Sequence, residues 1–277
     1  MSTTKILVCC HKPDNFKNDE VYMPIHVGKA NSKYDLGIQG DDTGDNISKE
    51  NPHFCELTGL YWAWKNMQPV DYIGLCHYRR YFNFHTHGTM FSDSTIIHSE
   101  KFDDLDLSLP NIDGLFSQYD AVIAKPRIYP YSLSVDYCVG QVSDDLLTLY
   151  EVVEAKYPDY SVDMKNVFLK NNKLSHYNMF ILRWEDFNNY CEWLFDILFE
   201  VRKKINIENY SVYQGRIWGF MSERLLQVWL LHNNKRVKHY PIYWIVDYKQ
   251  PKSFFDRMQR YLRAKLAFWI VKPRKHF

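Results

Sequence analysis

The stretch from Asp71 to Phe82 changes abruptly from a short apolar run into a cluster of cationic and aromatic side chains. Residues 72–76 have the composition of a buried β-strand, and residues 77–81 read His-Tyr-Arg-Arg-Tyr directly after it. In open α/β sheets, ligands bind outside the carboxyl ends of the strands. The stretch therefore predicts a buried strand that leads into a ligand site.

The two adjacent arginines of this stretch are the first candidates for ligand binding. Arg79 and Arg80 would form a cradle for a diphosphate, because a guanidinium matches phosphate geometry with paired hydrogen bonds. His77 and Tyr78 precede them and would help to hold the same group. The alternative interpretation is that the arginines form structural salt bridges where the strand ends.

Strand-like and helix-like segments alternate along the chain, which predicts an α/β fold with a central mixed sheet flanked by helices. Strands are predicted over residues 5–11, 70–76, 119–125 and 176–182, and helices over 51–67, from 143 onward, over 186–204 and over 221–231. His11 and Lys12 follow the first strand, and Lys125 and Arg127 follow the third. Cations are therefore expected at several carboxyl ends of the sheet.

Cysteine usage and the apolar runs bear on the cellular compartment. The six cysteines form no Cys-x-x-Cys pair, and four of them lie in apolar runs, as expected of buried thiols in a reducing compartment. No signal-peptide region precedes the first strand, and no apolar stretch approaches the ~20 residues needed to span a bilayer. We therefore expect a cytoplasmic protein.

The C-terminal segment differs in charge from the rest of the chain. From residue 252 onward, eight basic residues and one acidic residue give +7, so the remainder carries −6 of the net charge of +1. The basic residues are Lys252, Arg257, Arg260, Arg263, Lys265, Lys272, Arg274 and Lys275. An apolar helical stripe lies among them and consists of Phe254, Met258, Tyr261, Leu262, Leu266 and Trp269.

This pattern predicts two units, a domain over residues 1–250 and a basic amphipathic tail over residues 251–277. The tail suits an anionic membrane surface, which would make the protein peripheral on a membrane. The alternative is a helix docked on the acidic remainder of the chain. Nucleic acid is not expected as a partner, because the excess of basic residues is confined to one end.

Two acidic segments contain residues that could bind a divalent metal. Asp41, Asp42 and Asp45 could bind a divalent metal or a ribose, or they could form a solvated turn. Asp104 and Asp106 form an Asp-x-Asp pair, but their loop-like surroundings predict a solvated surface. The sequence contains neither a P-loop nor a Gly-x-Gly-x-x-Gly motif. A cofactor is therefore not assigned, although Mn²⁺ or Mg²⁺ stays open.

Seven blocks between the first strand and about residue 245 carry a family resemblance. They are His11-Lys-Pro13, Ile25-His-Val-Gly28, Asp41-Asp-Thr-Gly-Asp-Asn-Ile-Ser48, Glu56-Leu-Thr-Gly-Leu-Tyr-Trp62, Gly74-Leu-Cys-His-Tyr-Arg-Arg-Tyr-Phe82, Tyr177-Asn-Met-Phe180 and Gly219-Phe-Met-Ser-Glu-Arg-Leu225. Together they resemble bacterial capsular and exopolysaccharide biosynthesis glycosyltransferases, a family long catalogued as a domain of unknown function. Some members of that family resemble galactofuranosyltransferases.

The resemblance implies a GT-A-like domain that binds a nucleotide-sugar donor, with UDP-galactofuranose as the leading candidate. It also implies transfer, with inversion, to a growing capsular, exopolysaccharide or O-antigen glycan, or to a lipid-linked oligosaccharide at the inner membrane surface. Inversion needs a carboxylate base near the acceptor hydroxyl and positive charge at the departing diphosphate. The competing interpretation is a non-catalytic module that binds a nucleotide sugar or a polysaccharide and regulates assembly.

The resemblance also suggests individual roles. Catalytic roles fall to Glu223 as the base and to Arg79 and Arg80, helped by His77 and Tyr78, as the groups that stabilise the diphosphate. Binding roles fall to His11, Lys12, Asp45 and Asn46 for the nucleotide, and to His176 and Asn178 for the acceptor sugar. Because the cationic block stands where many such transferases have Asp-x-Asp, metal dependence becomes doubtful, while Asp41 and Asp42 keep a metal open.

Overall fold

The structure is a computed structural model that describes residues 2–86, 91–247 and 254–271. Of the basic tail residues, Lys252, Lys272, Arg274 and Lys275 lie outside the described residues, as does the side chain of Phe254. The predicted boundary between domain and tail at residue 250 also lies outside them and stays a prediction.

Strands and helices alternate along the described residues. The strands are β1 (Thr4–Cys10), β2 (Tyr22–His26), β3 (Gln39–Gly40), β4 (Tyr72–His77), β5 (Arg80–Phe82), β6 (Ser94–His98), β7 (Ala121–Ala124), β8 (Arg127–Ile128), β9 (Lys173–Leu174), β10 (Phe180–Arg183), β11 (Val237–Tyr240) and β12 (Ile242–Val246). The α-helices are α1 (Asn51–Phe54), α2 (Leu57–Asn66), α3 (Ile112–Gln118), α4 (Leu133–Gly140), α5 (Ser143–Lys156), α6 (Ser161–Lys170), α7 (Trp184–Lys204), α8 (Ile217–His232) and α9 (Phe254–Val271).

A central mixed sheet has the strand order β11-β7-β10-β4-β1-β2-β3. β1 pairs in parallel with both β2 and β4, whereas β10 runs antiparallel between β4 and β7. The predicted α/β fold with a mixed sheet is therefore confirmed, and the first strand lies inside the sheet as its apolar sequence indicates. Cys9 of β1 lies beside His77 of β4, so both strands end at the same edge.

The segment after β4 turns back at once. Tyr78 and Arg79 form the turn, and β5 begins at Arg80, which pairs with His77. β5 then pairs with β12, which also pairs with β6. The cationic block of the sequence is therefore a tight hairpin that extends the central sheet beyond the end of β4.

The two faces of the sheet are buried against different layers. Because side chains alternate along a strand, Leu7 and Cys9 of β1 face the helices, while Ile6 and Val8 face a second cluster that includes the β5 aromatics. Between β4 and β10 there is no space for a side chain at Gly74, where a Cβ atom would lie 2.7 Å from the Phe180 carbonyl oxygen. The centre of the sheet is thus closely packed directly below the hairpin.

Two predicted elements differ from those observed. The helix predicted over 51–67 is divided into α1 and α2 by Cys55, whose φ of 53° lies in a region that side chains rarely adopt. The strand predicted over 176–182 begins only at Phe180, because Tyr177 and Asn178 form a left-handed turn before it. Both interruptions lie at the cavity described below.

The C-terminal helix α9 packs against β8 through one face, where Ala264 is buried. Within the described ranges, no helix combines the length and the apolar composition that crossing a bilayer requires.

Candidate active site

A cavity of about 1040 Å³ opens at the edge where β1 and β4 end. Its wall is built by four regions: the β4–β5 hairpin, the break between α1 and α2, the turn before β10, and the face of α8. Five arginines and four carboxylates line it, namely Arg79, Arg80, Arg127, Arg216, Arg224, Glu56, Asp136, Glu223 and Asp247. The cavity is thus strongly charged and lies where the sequence predicts a ligand site.

The turn before β10 organises this cavity. Tyr177 and Asn178 have φ values of 73° and 51°, a conformation that costs a non-glycine residue on the order of 1–3 kcal/mol. The turn directs the Tyr177 N–H toward Glu223 and the Asn178 side chain toward Glu56. The Tyr177 carbonyl oxygen accepts a hydrogen bond from His77 Nε2 at 2.7 Å. One strained turn therefore positions two carboxylates and an imidazole.

Glu223 is a buried carboxylate on the first half of α8, as its sequence position predicts. Its Oε1 accepts the Tyr177 N–H at 2.6 Å, and its Oε2 lies 3.3 Å from His176 Nδ1. Burial alone would raise the pKa of Glu223, but the charge and hydrogen bond of His176, together with the Tyr177 N–H, lower it below its usual value. Glu223 is therefore ionised at neutral pH.

His176 links Glu223 to a tyrosine. Its Nε2 lies 2.6 Å from the Tyr129 hydroxyl, and both His176 and Tyr129 line the cavity. When His176 Nδ1–H donates to Glu223, Nε2 accepts the hydroxyl proton of Tyr129. Tyr129, His176 and Glu223 thus form a hydrogen-bonded chain along the cavity wall.

Glu56 is a second glutamate in the cavity, and its role was not predicted from the sequence. The break at Cys55 brings Glu56 into the cavity wall. Its Oε1 accepts a hydrogen bond from Asn178 Nδ2 at 2.6 Å. Burial raises the pKa of Glu56 above its usual value, and Glu223 raises it further, whereas the bond from Asn178 acts in the opposite direction. The only sequence signal was that Glu56 begins one of the seven family blocks.

Asn178 therefore lies behind the cavity wall. It is buried, it donates to Glu56, and its Oδ1 accepts from the Ser222 hydroxyl at 2.9 Å. The structure places His176 in the cavity lining but not Asn178, so a direct contact of Asn178 with an acceptor sugar stays a prediction. In this geometry Asn178 holds the Glu56 carboxylate in place through its hydrogen bond.

The two adjacent arginines have different surroundings. Arg79 forms ion pairs with Asp14 at 2.7 Å and with Asp247 at 2.6 Å, which is the salt-bridge alternative left open by the sequence. Arg80 forms no ion pair within the described residues, and its guanidinium stacks over the Tyr177 ring at 4.3 Å. Its buried Nε has no hydrogen-bond partner. Arg80 is therefore the arginine of this pair that is ready to bind an anion.

The remaining members of the cationic block include a neutral imidazole. Burial, followed by the nearby Arg80 charge, lowers the pKa of His77 to about 3. His77 donates through Nε2 to a carbonyl, so its Nδ1 is an unprotonated acceptor at neutral pH. Tyr78 lines the cavity and packs edge-on against His11 at 5.3 Å. Lys12 does not line the cavity, whereas Cys9 of β1 and His11 directly after β1 do.

Arg216 is a further cation that the sequence analysis did not single out. It lies directly before α8, lines the cavity and donates from Nε to Cys55 Sγ at 3.3 Å. Within the described chain it forms no ion pair, in contrast to Arg127 with Asp93 and Arg224 with its own carboxylate partner. Arg216 and Arg80 are therefore the cavity arginines that are not neutralised by a carboxylate in the described chain.

The acidic turn predicted to touch the nucleotide lies elsewhere. Asp41 is buried and accepts the N–H groups of Gly28 and Lys29 at 2.8 and 3.1 Å, so it holds the loop after β2. Asp45 accepts from the Tyr61 hydroxyl at 3.1 Å. Neither Asp45 nor Asn46 lines the cavity, and nucleotide contact by either residue stays a prediction.

The described residues contain no preformed cluster of ligands for a divalent metal. Across residues 2–86, 91–247 and 254–271, no group of three or more His, Cys, Asp or Glu side chains is arranged to hold one. The Asp41 oxygens are occupied by backbone donors, and Asp106 bonds Ser108 on the exposed surface. In the cavity, each of the four carboxylates faces a positive or donating partner.

Comparisons with known proteins agree with this architecture. A family model described as "Domain of unknown function (DUF4422)" matches residues 5–235. A solved structure, the apo form of the WbbM bifunctional glycosyltransferase, matches with a TM-score of 0.75 and 31% identity. The match covers 91% of this chain and 48% of that chain, so this chain spans about half the length of WbbM. It confirms the expected GT-A-like fold. No curated protein matches the chain.

Proposed function

The chain belongs to the family described as "Domain of unknown function (DUF4422)", and on this premise we propose that it transfers a sugar from a nucleotide-sugar donor to a glycan acceptor. The observation that carries the proposal is the cavity at the carboxyl ends of β1 and β4, which combines arginines without carboxylate partners and two glutamates. The similarity to WbbM, a bifunctional glycosyltransferase, supports the same reaction class.

Arg80 and Arg216 are the proposed binding groups for the donor diphosphate. Stacking on Tyr177 fixes the plane of the Arg80 guanidinium, so little side-chain entropy is lost when it binds phosphate oxygens. Negative charge grows on the diphosphate as the glycosidic bond breaks, and fixed cations stabilise that charge. Arg79 is held in the hairpin by its ion pairs. His11 and Tyr78 line the cavity beside the hairpin, where they would contact the nucleotide.

Glu223 is the proposed base. The acceptor hydroxyl loses its proton to the carboxylate, and its oxygen forms a bond to the anomeric carbon on the face opposite the leaving group. The bond from that carbon to the diphosphate breaks, and its electron pair stays on the phosphate oxygen. A single displacement of this kind inverts the anomeric centre. The low pKa of Glu223 keeps it ionised and able to accept the proton at neutral pH.

Glu56 is a second candidate for the base, and a specific observation favours it. It lines the cavity, and its raised pKa makes it a stronger base than an ordinary carboxylate. Glutamates whose pKa values are moved in opposite directions within one cavity commonly divide acid and base roles. Substitution of each glutamate distinguishes them, as argued below.

UDP-galactofuranose is the proposed donor, on the strength of the resemblance of the seven sequence blocks. The proposed acceptor is a capsular, exopolysaccharide or O-antigen glycan carried on a lipid at the inner face of the membrane. The exposed face of α9 supports this location, because Leu262, Leu266 and Trp269 project away from the body next to Arg263 and Lys265. Peripheral attachment would bring the cavity close to such an acceptor.

A thermal-shift screen of UDP, GDP, CMP and their sugars, with Mn²⁺ and with EDTA, tests the proposal. Binding to the native state raises the melting temperature by mass action. We expect stabilisation by UDP compounds that persists in EDTA, that is lost in Arg80→Gln and that is retained in the surface control Lys165→Gln. The absence of stabilisation by every nucleotide would favour the alternative, a polysaccharide-binding module without catalysis.

A further inference from the structure

A second cavity of about 290 Å³ lies between the body of the protein and α9. Its wall combines the segment after β7, the start of β9 and the first half of α9. Five cationic side chains from these segments line it: Lys125, Arg127, Lys173, Arg257 and Arg260. The Lys-Pro-Arg sequence that follows β7 therefore contributes to this second site as well as to the main cavity.

Positive charge in this cavity is not balanced by the carboxylates that line it. Asp93 is the one acidic residue of the lining, and Arg127 lies 2.9 Å from it. Arg257 donates to neutral oxygens, the Ser92 hydroxyl at 2.9 Å and the Ser94 carbonyl at 3.3 Å. Among the described residues that line this concave space, five are cationic and one is a carboxylate.

Solvated surface cations are the simplest alternative explanation, and the geometry argues against it. Like charges repel, so chain segments distant in sequence gain nothing by bringing five cations together unless an anion joins them. Tyr261 packs edge-on against Phe91 at 5.3 Å and closes one side of the space. A concave wall of one charge concentrates the electric field and attracts an anion.

The position of the cavity indicates where such an anion would come from. Arg127 lines both cavities, so the second site adjoins the place proposed for sugar transfer. The helix that forms its outer wall carries an exposed apolar stripe on the opposite face, with Trp269 76% exposed. A lipid-linked acceptor contains such an anion, because a phosphate group joins its glycan to the lipid in the membrane.

We infer that the cavity between α9 and the body binds a phosphate or diphosphate group. A lipid-linked acceptor and free pyrophosphate both contain such a group. Only the assignment of the group to a lipid-linked acceptor rests on the proposed function. Guanidinium and ammonium groups from three segments would surround the phosphate oxygens with charge-assisted hydrogen bonds. The glycan of a lipid-linked acceptor would then extend past Arg127 into the main cavity.

Lys173 and Arg260 allow a test that does not disturb the fold. Neither side chain makes a hydrogen bond or an ion pair in the described chain, so Lys173→Gln with Arg260→Gln removes two charges and no contact. The matched control is Lys33→Gln with Lys165→Gln, which removes the same charge from exposed residues outside both cavities. Both pairs are made in a background with Arg80→Gln and Arg216→Gln, so that the main cavity contributes little to anion binding.

Two probes distinguish the sources of phosphate. Pyrophosphate binding is measured by calorimetry, and binding to phosphatidylcholine vesicles is measured with and without phosphatidic acid. We expect the Lys173/Arg260 pair to weaken binding about tenfold or more, and the control pair to weaken it much less. If the Lys173/Arg260 pair weakens only pyrophosphate binding, the ligand of the cavity is a soluble anion. If it weakens binding to the vesicles that contain phosphatidic acid, the ligand is a lipid phosphate.

Equal binding by the test pair and the control pair in both assays would overturn the inference. Failure of the proposed function is detected separately, by UDP binding to the protein with Arg80 intact. If UDP does not bind while pyrophosphate binding still depends on Lys173 and Arg260, the phosphate site stands and the proposed donor site fails.

Discussion

The backbone N–H of Tyr177 donates a 2.6 Å hydrogen bond to Glu223 Oε1, and this contact joins the turn before β10 to the face of α8. The same turn supplies the ring on which Arg80 stacks and the amide that holds Glu56. Residues 177 and 178 thus position the proposed cation and both proposed bases. Their left-handed backbone is strained, and such strain is commonly retained at functional sites.

Substituting each glutamate identifies the base. If Glu223 accepts the proton, Glu223→Gln should reduce kcat by about 10²-fold or more, because general-base catalysis contributes about 10²–10⁴-fold. UDP affinity should change little, since the carboxylate is not assigned to the donor. Steady-state kinetics and UDP titration of both variants provide the test. A kcat that falls with Glu56→Gln and persists with Glu223→Gln would transfer the role to Glu56, and full turnover in both would exclude either as the base.

The same two substitutions should change stability in opposite directions. The native pKa of Glu223 is lowered, so its charge stabilises the fold above its ordinary pKa of 4.5, and that stability is lost as pH falls through the native pKa. The native pKa of Glu56 is raised, so its ionisation destabilises the fold as pH rises above 4.5. At pH 7 we expect Glu223→Gln to cost about 1–3 kcal/mol and Glu56→Gln to stabilise.

Melting temperatures of the two variants at pH 7 and pH 5 provide the measurement. The difference between them should shrink at pH 5 because the raised pKa of Glu56 brings that carboxyl toward its protonated form, whereas Glu223, whose pKa is lowered, stays ionised there. Glu185, which is exposed on the first turn of α7, offers a control through Glu185→Gln. If both cavity variants change the melting temperature at pH 7 by the same amount and in the same direction, the two glutamates do not have pKa values shifted in opposite directions.

The central sheet and the cationic cluster at the end of β4 were predictable from the sequence because both depend on local patterns. The apolar runs of β1 and β4 are buried on both faces, and such runs are recognisable without knowledge of the fold. The break at Cys55 was not predictable in this way. Phe54, Leu57 and Tyr61 keep a helical period across it, while the bond from the Asn51 side chain to the Cys55 carbonyl oxygen marks the interruption.

A location at the cavity is readable from the sequence for the block from His77 to Arg80, which follows a strand, but not where a turn redirects the chain. The position of Glu56 in the cavity depends on the break at Cys55, which the helix predicted over 51–67 does not contain. Asn178 was expected in the cavity, but positive φ at the turn directs its side chain behind the wall. The pairing of Arg79 with Asp14 and Asp247 joins residues far apart in sequence, and no local pattern contains that information.

Arg79 and Arg80 should respond differently to substitution. Arg80→Gln should lower kcat/KM by about 10²–10³-fold, the usual cost of removing one group that stabilises transition-state charge. Arg79→Gln should leave Asp14 without its partner and lower stability by about 1–3 kcal/mol, with a smaller effect on turnover. Kinetics and denaturant unfolding of both variants are compared. Equal loss of activity from both, at unchanged stability, would show that Arg79 also serves the diphosphate.

Packing beneath the hairpin gives a prediction for the fold itself. Gly74→Ala would place a methyl group 2.7 Å from the Phe180 carbonyl oxygen, between β4 and β10. We expect a loss of about 1–3 kcal/mol in unfolding free energy, the usual cost of overpacking a core. Gly140→Ala is the control, because a Cβ there meets nothing within 4 Å. Denaturant unfolding measures both, and equal stabilities would show that the strands can separate without cost.

The exposed face of α9 gives a prediction about membrane contact. Leu262, Leu266 and Trp269 recur at helical spacing on the face opposite the buried Ala264, so docking on the body leaves the stripe free. Leu262→Gln with Trp269→Gln should abolish co-sedimentation with anionic vesicles, because burial of these side chains in the lipid interface is lost. Leu147→Gln with Val162→Gln alters exposed apolar residues elsewhere and should change nothing. Undiminished sedimentation of the stripe variant would exclude α9 as the membrane contact.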